Sequence, residues 1–386
     1  MRIVDVCAFY SPRGGGVRTY VSQKLAVAEQ MGHDITILAP GDERQVIEVG
    51  RSARIMILPS PRFPLDRNYW FFNDEAAIHS ALDQLAPDFV EASSPWRSPL
   101  MVAGWRPEVP KSLIMHADPL SAYAYRWLEP LLARETIDLR MNRFWQHLRR
   151  LGSLFDSVIC ANQDLGSRLI AGGVRNVLTV PMGVEAGFFS HKRRDPALRA
   201  RLLEQCDLPP TATLLIAAGR LAPEKRLPML VEAATIVGRQ RPIGLVIFGE
   251  GRERASIARA IGGNPHIRLF RPERDRAKFA TILASSDALV HGCEAETFCM
   301  AAAEARASGI PVVVPDRGGA TDFARHGGGL TYRSADRGDV VRAILRLPQG
   351  GGHQQTSPPE YSMQFHFNTL FAHYSSLGPG SLQRAA

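Results

Sequence analysis

At 386 residues, with 45% hydrophobic and 22% charged side chains, the chain has the composition of a soluble globular protein and more length than one typical core needs, so two domains are expected and global disorder is excluded. No apolar run is long enough to span a bilayer, Asp5 interrupts the only start that could pass for a signal peptide, and the five cysteines show neither disulfide nor zinc-ligand spacing; a cytoplasmic protein is expected. The net charge of +8 admits an anionic membrane or a phosphorylated ligand, whereas nucleic acid is the least supported partner, because only five of the 46 basic residues are Lys and no Lys-rich tail or zinc-finger pairing occurs.

Short β-branched runs alternate with helical patterns from the first residues, the layout of βα units and a parallel sheet. The pattern predicts a strand over 2–9, a glycine turn, a helix over about 17–30, and further strands near 34–38, 54–58, 89–92, 112–116, 157–161 and 177–180. Gly14, Gly15 and Gly16 follow the first strand and open the helix, where backbone amides can approach a phosphate or sugar that a side chain would block. A dinucleotide fingerprint is not met: the third small position is Thr19, and the second strand ends in Ala39-Pro40 without an acidic residue.

His116 ends a predicted strand and precedes Ala117-Asp118; a lone His there is ordinarily structural, and a site role depends on its place at the strand's carboxyl end. Between Tyr123 and Arg150, aromatic and basic residues interleave. A helix of that composition could lie on an anionic membrane surface, with a core-packed helix bearing a solvated basic face as the alternative.

Polar and basic residues around His191-Lys192-Arg193-Arg194-Asp195-Pro196 break the pattern and are read as the linker, and a second series of strands is predicted near 213–218, 244–248, 266–270, 288–290 and 311–314. After the first of these comes Gly219-Arg220-Leu221-Ala222-Pro223-Glu224-Lys225-Arg226, in which Arg220 and Lys225 are two cations on one strand-end loop and Arg226 is expected to be solvated. The exposed turn Phe248-Gly249-Glu250-Gly251 ends the next strand. After the strand at 288–290 comes Glu296-Thr297-Phe298-Cys299-Met300, then a helix carrying Glu304, closed by Gly309 and Pro311. A strand-to-helix turn in an open α/β sheet presents free amides to an anion at the sheet's carboxyl edge. Near the chain's end a loop-rich stretch precedes an amphipathic helix over about 361–376.

The block from Glu296 to Glu304, with Arg220 and Lys225 upstream and the Gly14-Gly15-Gly16 loop, resembles the nucleotide-sugar signature of retaining glycosyltransferases of family 4, whose fold is GT-B. The resemblance implies an α/β protein of two Rossmann-like domains facing each other across a donor-binding cleft. Residues 1–190 would form the acceptor-binding domain and 196–355 the nucleotide-sugar domain, with the C-terminal helix crossing back to the first. It also implies a hexosyltransferase that is retaining and needs no metal or other cofactor, since Arg220 and Lys225 would grip the donor diphosphate. No Asp-x-Asp occurs in the sequence.

By the same resemblance Glu296 would hold the donor sugar, Glu304 the ribose, the backbone of Thr297, Phe298, Cys299 and Met300 the diphosphate, and His116 the sugar's far side. Cys299 stands where the family usually has Gly. The implied partners are a GDP- or UDP-sugar and a hydroxyl acceptor such as a lipid-linked glycan, a glycolipid or an exopolysaccharide precursor, which suits a peripheral place on the cytoplasmic membrane face through residues 123–150. A nucleotide-sugar epimerase of the same fold and a non-catalytic binding protein are the competing readings.

Overall fold

The computed structural model describes residues 1–12, 16–64, 69–325, 328–348 and 362–377. Gly14 and Gly15 lie outside them, as do most of the loop-rich stretch before the last helix and the C-terminal tail; Gly16 opens the first helix, Gly16–Gln30. The chain divides into two compact units. One comprises Met1–Pro119, Trp127–Pro181 and the helix Met363–Leu377, and the other Leu120–Arg126 and Met182–Ser362.

The first unit carries an eight-stranded sheet of β1 (Arg2–Val6), β2 (Asp34–Gly41), β3 (Gln45–Glu48), β4 (Ala53–Pro59), β5 (Phe89–Ser93), β6 (Lys111–Ile114), β7 (Ser157–Cys160) and β8 (Val177–Thr179). Their order is β3-β4-β2-β1-β5-β6-β7-β8, parallel except for the antiparallel β3–β4 edge. Ile3 pairs with Ile35 on one side and Phe89 on the other, so the sheet grows outward in both directions from β1. Strand β3 was not predicted, because its residues are largely exposed and lack an apolar period.

The second sheet is entirely parallel, built from β9 (Thr213–Ala218), β10 (Ile243–Phe248), β11 (Ile267–Phe270), β12 (Ala288–Val290), β13 (Val312–Pro315) and β14 (Gly329–Tyr332) in the order β11-β10-β9-β12-β13-β14. Its inner strands read as unbroken apolar runs, as strands covered on both faces must. Leu215, Leu245 and Ile247 pack against Leu230, Val231 and Val237 of the helix Leu227–Gly238 in one core.

Two expectations are corrected. The division falls at Pro181, earlier than residue 190: Val184 pairs with Ser362, Glu185 meets Arg276 at 3.1 Å, and Arg193 donates to the Phe188 carbonyl at 2.6 Å, so the stretch read as a linker is packed into the second unit. The aromatic and basic run from 123 to 150 is not one helix. A π-helical turn at Leu120–Tyr125 and the helices Arg126–Leu128, Arg134–Arg140 and Asn142–Leu154 divide it, and Pro130 stands at the break.

A buried charge cluster fastens the C-terminal helix into the first unit. Lys24 Nζ, fully enclosed, donates to Asp5 at 2.9 Å and to Glu91 at 2.5 Å, and Tyr374 also donates to Glu91. Phe89 stacks on Tyr374 at 4.0 Å, and His366 Nδ1 donates to the Pro181 carbonyl at 2.9 Å, which leaves Nε2 to accept from Tyr20 Oη at 3.2 Å. Burial, reinforced by Asp5, pushes the Glu91 carboxyl up to about 7 despite Lys24. Lys24→Met leaves two acidic groups in the core without their cation and is expected to destabilise the protein by ~3–5 kcal/mol in urea unfolding.

Candidate functional site

Strands β9 and β12 are neighbours although β10 and β11 lie between them in sequence, so the strand order reverses there and the loops leaving their carboxyl ends emerge side by side. Gly292 lets them touch: a Cβ at that position would stand 2.4 Å from the Lys225 carbonyl oxygen.

Two ion pairs join the loops. Lys225 Nζ bonds Glu296 Oε1, and Arg226 grips Glu294 through both its Nη2 and its Nε, the latter 3.0 Å from Oε2. Arg226 is thus not the solvated residue the sequence suggested; its guanidinium is mostly buried against Glu294 and its backbone turns left-handed at φ +47° to start the next helix. The signal that could have found it was Glu294, a second carboxylate two residues before Glu296.

Burial alone would raise Glu296, but Lys225, then His291 and Arg220, outweigh it and hold the carboxyl below its ordinary range. Burial likewise opposes the Lys225 charge, and Glu296 overcomes it, so the ammonium stays protonated well above neutrality. Arg220 lies on the same loop with its side chain 72% exposed, paired to Glu224 at 2.9 Å. The site therefore holds two cations locked in ion pairs, Lys225 and Arg226, and one exposed cation, Arg220.

The helix Met300–Ala307 starts at Cys299, whose backbone is left-handed at φ +72°, and no side chain caps it. Its first amides are open to an anion beside the Lys225 loop. Phe298 anchors the turn edge-on against Phe323 at 5.1 Å, and Gly319 N–H donates to the Glu296 carbonyl at 2.7 Å. Gly318, at φ +75°, stands so close under Glu294 that a Cβ would lie 2.2 Å from its carbonyl oxygen.

One turn into the helix, burial pushes Glu304 up to about 7, with Arg276 acting in the opposite sense. Residues Gly219, Arg220, Phe248, Glu250, Glu273 and Phe279 wall a pocket of about 270 Å³ beside the same loop.

Arg220, Lys225, Glu296, Thr297, Phe298, Cys299, Met300 and Glu304 all lie in the second unit, on two adjacent loops and the helix that follows. His116 belongs to the first unit, where Tyr20 meets its ring edge-on at 4.9 Å and burial lowers its pKa to about 4. The sequence reading passed over His291, which is 6% exposed and has Nε2 3.6 Å from Glu296 Oε1.

Two Rossmann-like units, the second with cations, carboxylates and an uncapped helix start at its crossover, define an α/β protein built to hold a polyanionic ligand. The family profile Glycosyl transferases group 1 matches residues 199–356, and Glycosyltransferase Family 4 matches residues 14–188. The chain is 31% identical over 357 residues, 90% of its length and 89% of the relative's, to a GDP-mannose-dependent alpha-(1-6)-phosphatidylinositol dimannoside mannosyltransferase of Mycobacterium tuberculosis. It is 26% identical to a GDP-mannose-dependent alpha-mannosyltransferase of Corynebacterium glutamicum, over 85% of this chain and 75% of that one. Sucrose-phosphate synthase from Thermosynechococcus elongatus shares the fold with a TM-score of 0.68 at 16% identity, covering 100% of this chain and 98% of that chain.

The chain belongs to glycosyltransferase family 4, with the GT-B fold, and is a nucleotide-sugar-dependent hexosyltransferase.

Two outcomes test the geometry. Arg226→Met strips Glu294 of its buried partner and is expected to cost ~3–5 kcal/mol in thermal or urea unfolding, with Arg226→Lys recovering part of it. Because the Glu304 carboxyl is raised to about 7, it is largely protonated at pH 6 and ionised at pH 8. If it accepts ribose hydroxyls, calorimetric affinity for a nucleotide sugar should climb through that interval, and Glu304→Gln should flatten the profile.

Proposed function

We propose that the enzyme transfers mannose from GDP-mannose, with retention of anomeric configuration and without a metal, to a hydroxyl of a phosphatidylinositol-mannoside-type glycolipid. The observation that carries this reading is the convergence of Lys225 and Glu296 from adjacent strand ends beside the uncapped start of the Met300–Ala307 helix. The Mycobacterium and Corynebacterium relatives, both named as using GDP-mannose, support the donor, and the first of them the acceptor class.

The diphosphate lies along the amides from Thr297 to Met300, with Lys225 and Arg220 on its oxygens. As the bond from the sugar's anomeric carbon to the β-phosphate oxygen breaks, negative charge grows on that phosphate, and the two cations and the helix amides stabilise it, a task that a metal performs elsewhere. The acceptor oxygen forms its bond to the anomeric carbon on the face the leaving group departs, and its proton passes to the departing phosphate oxygen. No protein nucleophile is needed.

Glu296 accepts sugar hydroxyls and Glu304 accepts the ribose hydroxyls; the family resemblance also implies donor roles for His116 and for Gly14, Gly15 and Gly16. In the free protein Glu296 engages Lys225, so donor binding exchanges that contact for sugar and phosphate contacts. The base occupies the pocket between Phe248 and Phe279, whose rim holds Glu250 and Glu273. Guanine offers paired N–H donors on one edge, which suit carboxylates; uracil presents carbonyl oxygens that carboxylates repel.

A lipid acceptor fits the exposed apolar side chains of the 123–150 stretch, where Trp127, Leu131 and Leu139 are 60%, 82% and 78% exposed among basic neighbours such as Arg140 and Arg143. Among the described residues no helix is long and apolar enough to cross a membrane.

The test is nucleotide release from GDP-, UDP- and ADP-sugars with and without phosphatidylinositol mannosides, with chelator present and the product's anomeric configuration read by NMR. Release of GDP that depends on the lipid, survives the chelator and gives the α-product is expected. Lys225→Ala and Glu296→Ala should each lower kcat by ~10²–10³-fold. Donor conversion without any acceptor would instead indicate an epimerase, and unchanged turnover in Glu296→Ala would overturn the assignment.

A further inference from the structure

Beside the Lys225–Glu296 contact lie two side chains that sugar transfer does not require, those of His291 and Cys299. A ring nitrogen of His291, a Glu296 carboxylate oxygen and Cys299 Sγ all lie within 4.8 Å of one another. Ligands at ~2.0–2.3 Å on a tetrahedral ion stand somewhat closer than that, so a small inward movement of three side chains would complete the geometry.

His291 is the second, independent observation. Its ring is buried, and Nε2 has no hydrogen-bond partner yet faces the Glu296 carboxylate at 3.6 Å. A buried ring nitrogen with no hydrogen-bond partner is costly, and a cation between it and the Glu296 carboxylate would satisfy both groups. Tyr332 Oη donates to the His291 carbonyl at 2.6 Å and fixes the backbone that carries the ring, the kind of outer support that metal-binding histidines have.

We propose that His291, Glu296 and Cys299 bind one thiophilic divalent cation of the Zn²⁺ class, and that its binding draws Glu296 away from Lys225 and closes the donor site. Imidazole, carboxylate and thiolate together select a borderline-soft ion over Mg²⁺ or Ca²⁺. The Cys299 thiol is held protonated by burial and by the Glu296 charge, so the cation must displace its proton: Zn²⁺ and Cys–SH give Zn–S–Cys and one H⁺ released to solvent. Occupancy takes the carboxylate that would accept the donor sugar's hydroxyls, which makes it inhibitory rather than catalytic. The inhibitory half rests on the transferase reading; the binding half does not.

The experiment titrates Co²⁺ into the reduced, donor-free full chain while following the thiolate-to-cobalt charge-transfer band and proton release in weak buffer, then displaces it with Zn²⁺. Expected are one Co²⁺ and about one proton per chain, with the band abolished in Cys299→Gly, a residue the backbone at φ +72° accommodates, and binding weakened at least ~30-fold in Cys299→Gly and His291→Asn. Melting curves for both variants show whether they are folded. No band in the wild type, or the same affinity in either folded variant, overturns the site. With Zn²⁺ bound, GDP-mannose affinity by calorimetry should fall at least ~10-fold and recover with chelator; unchanged GDP-mannose affinity overturns the inhibitory half alone.

Discussion

The adjacency of β9 and β12 is the constraint on which the site depends. Two strands far apart in the chain lie side by side because a parallel sheet can be extended on either side of its first strand, and the chain used both sides. Each strand ends in a loop, and the loops meet only because their strands do. Gly292 and Gly318 then bring the backbones close enough for Arg226 to grip Glu294 and for Lys225 to reach Glu296. These pairs are costly to bury and are not the simplest way to stabilise a core; in the proposed mechanism they place charge beside the donor diphosphate.

The two units use buried charge to different ends. In the first, Lys24 is wholly enclosed by Asp5 and Glu91, and with Tyr374 it fastens the C-terminal helix onto the sheet. In the second, Lys225 and Glu296 are partly open, and their contact is one that a ligand can replace. The same chemistry serves as a structural bolt where water has no access and as a reactive element where it does.

His291 and Cys299 add a second layer to the site. Both lie against Glu296, and neither is required by a mechanism that works through phosphate and sugar hydroxyls. A carboxylate shared by an ammonium, an imidazole and a thiol can respond to more than its substrate.

Much of this was legible in the residues. The alternation of β-branched runs with helical stretches determined two parallel α/β units, and the spacing of Arg220, Lys225, Glu296 and Glu304 after two strand ends singled out residues that the fold brings onto two adjacent loops and the helix that follows, because local periodicity and strand-end position are properties of contiguous sequence. What contiguous sequence cannot carry is pairing between distant segments. Only the tertiary structure decided that Arg226 is clamped by Glu294, that His291 faces Glu296, that the aromatic and basic run breaks into separate helices, and that the presumed linker packs into the second unit. Each of these depends on which strands became neighbours and which side chains burial then forced to find partners, and strand order is settled by the packing of the whole sheet rather than by any one of its segments.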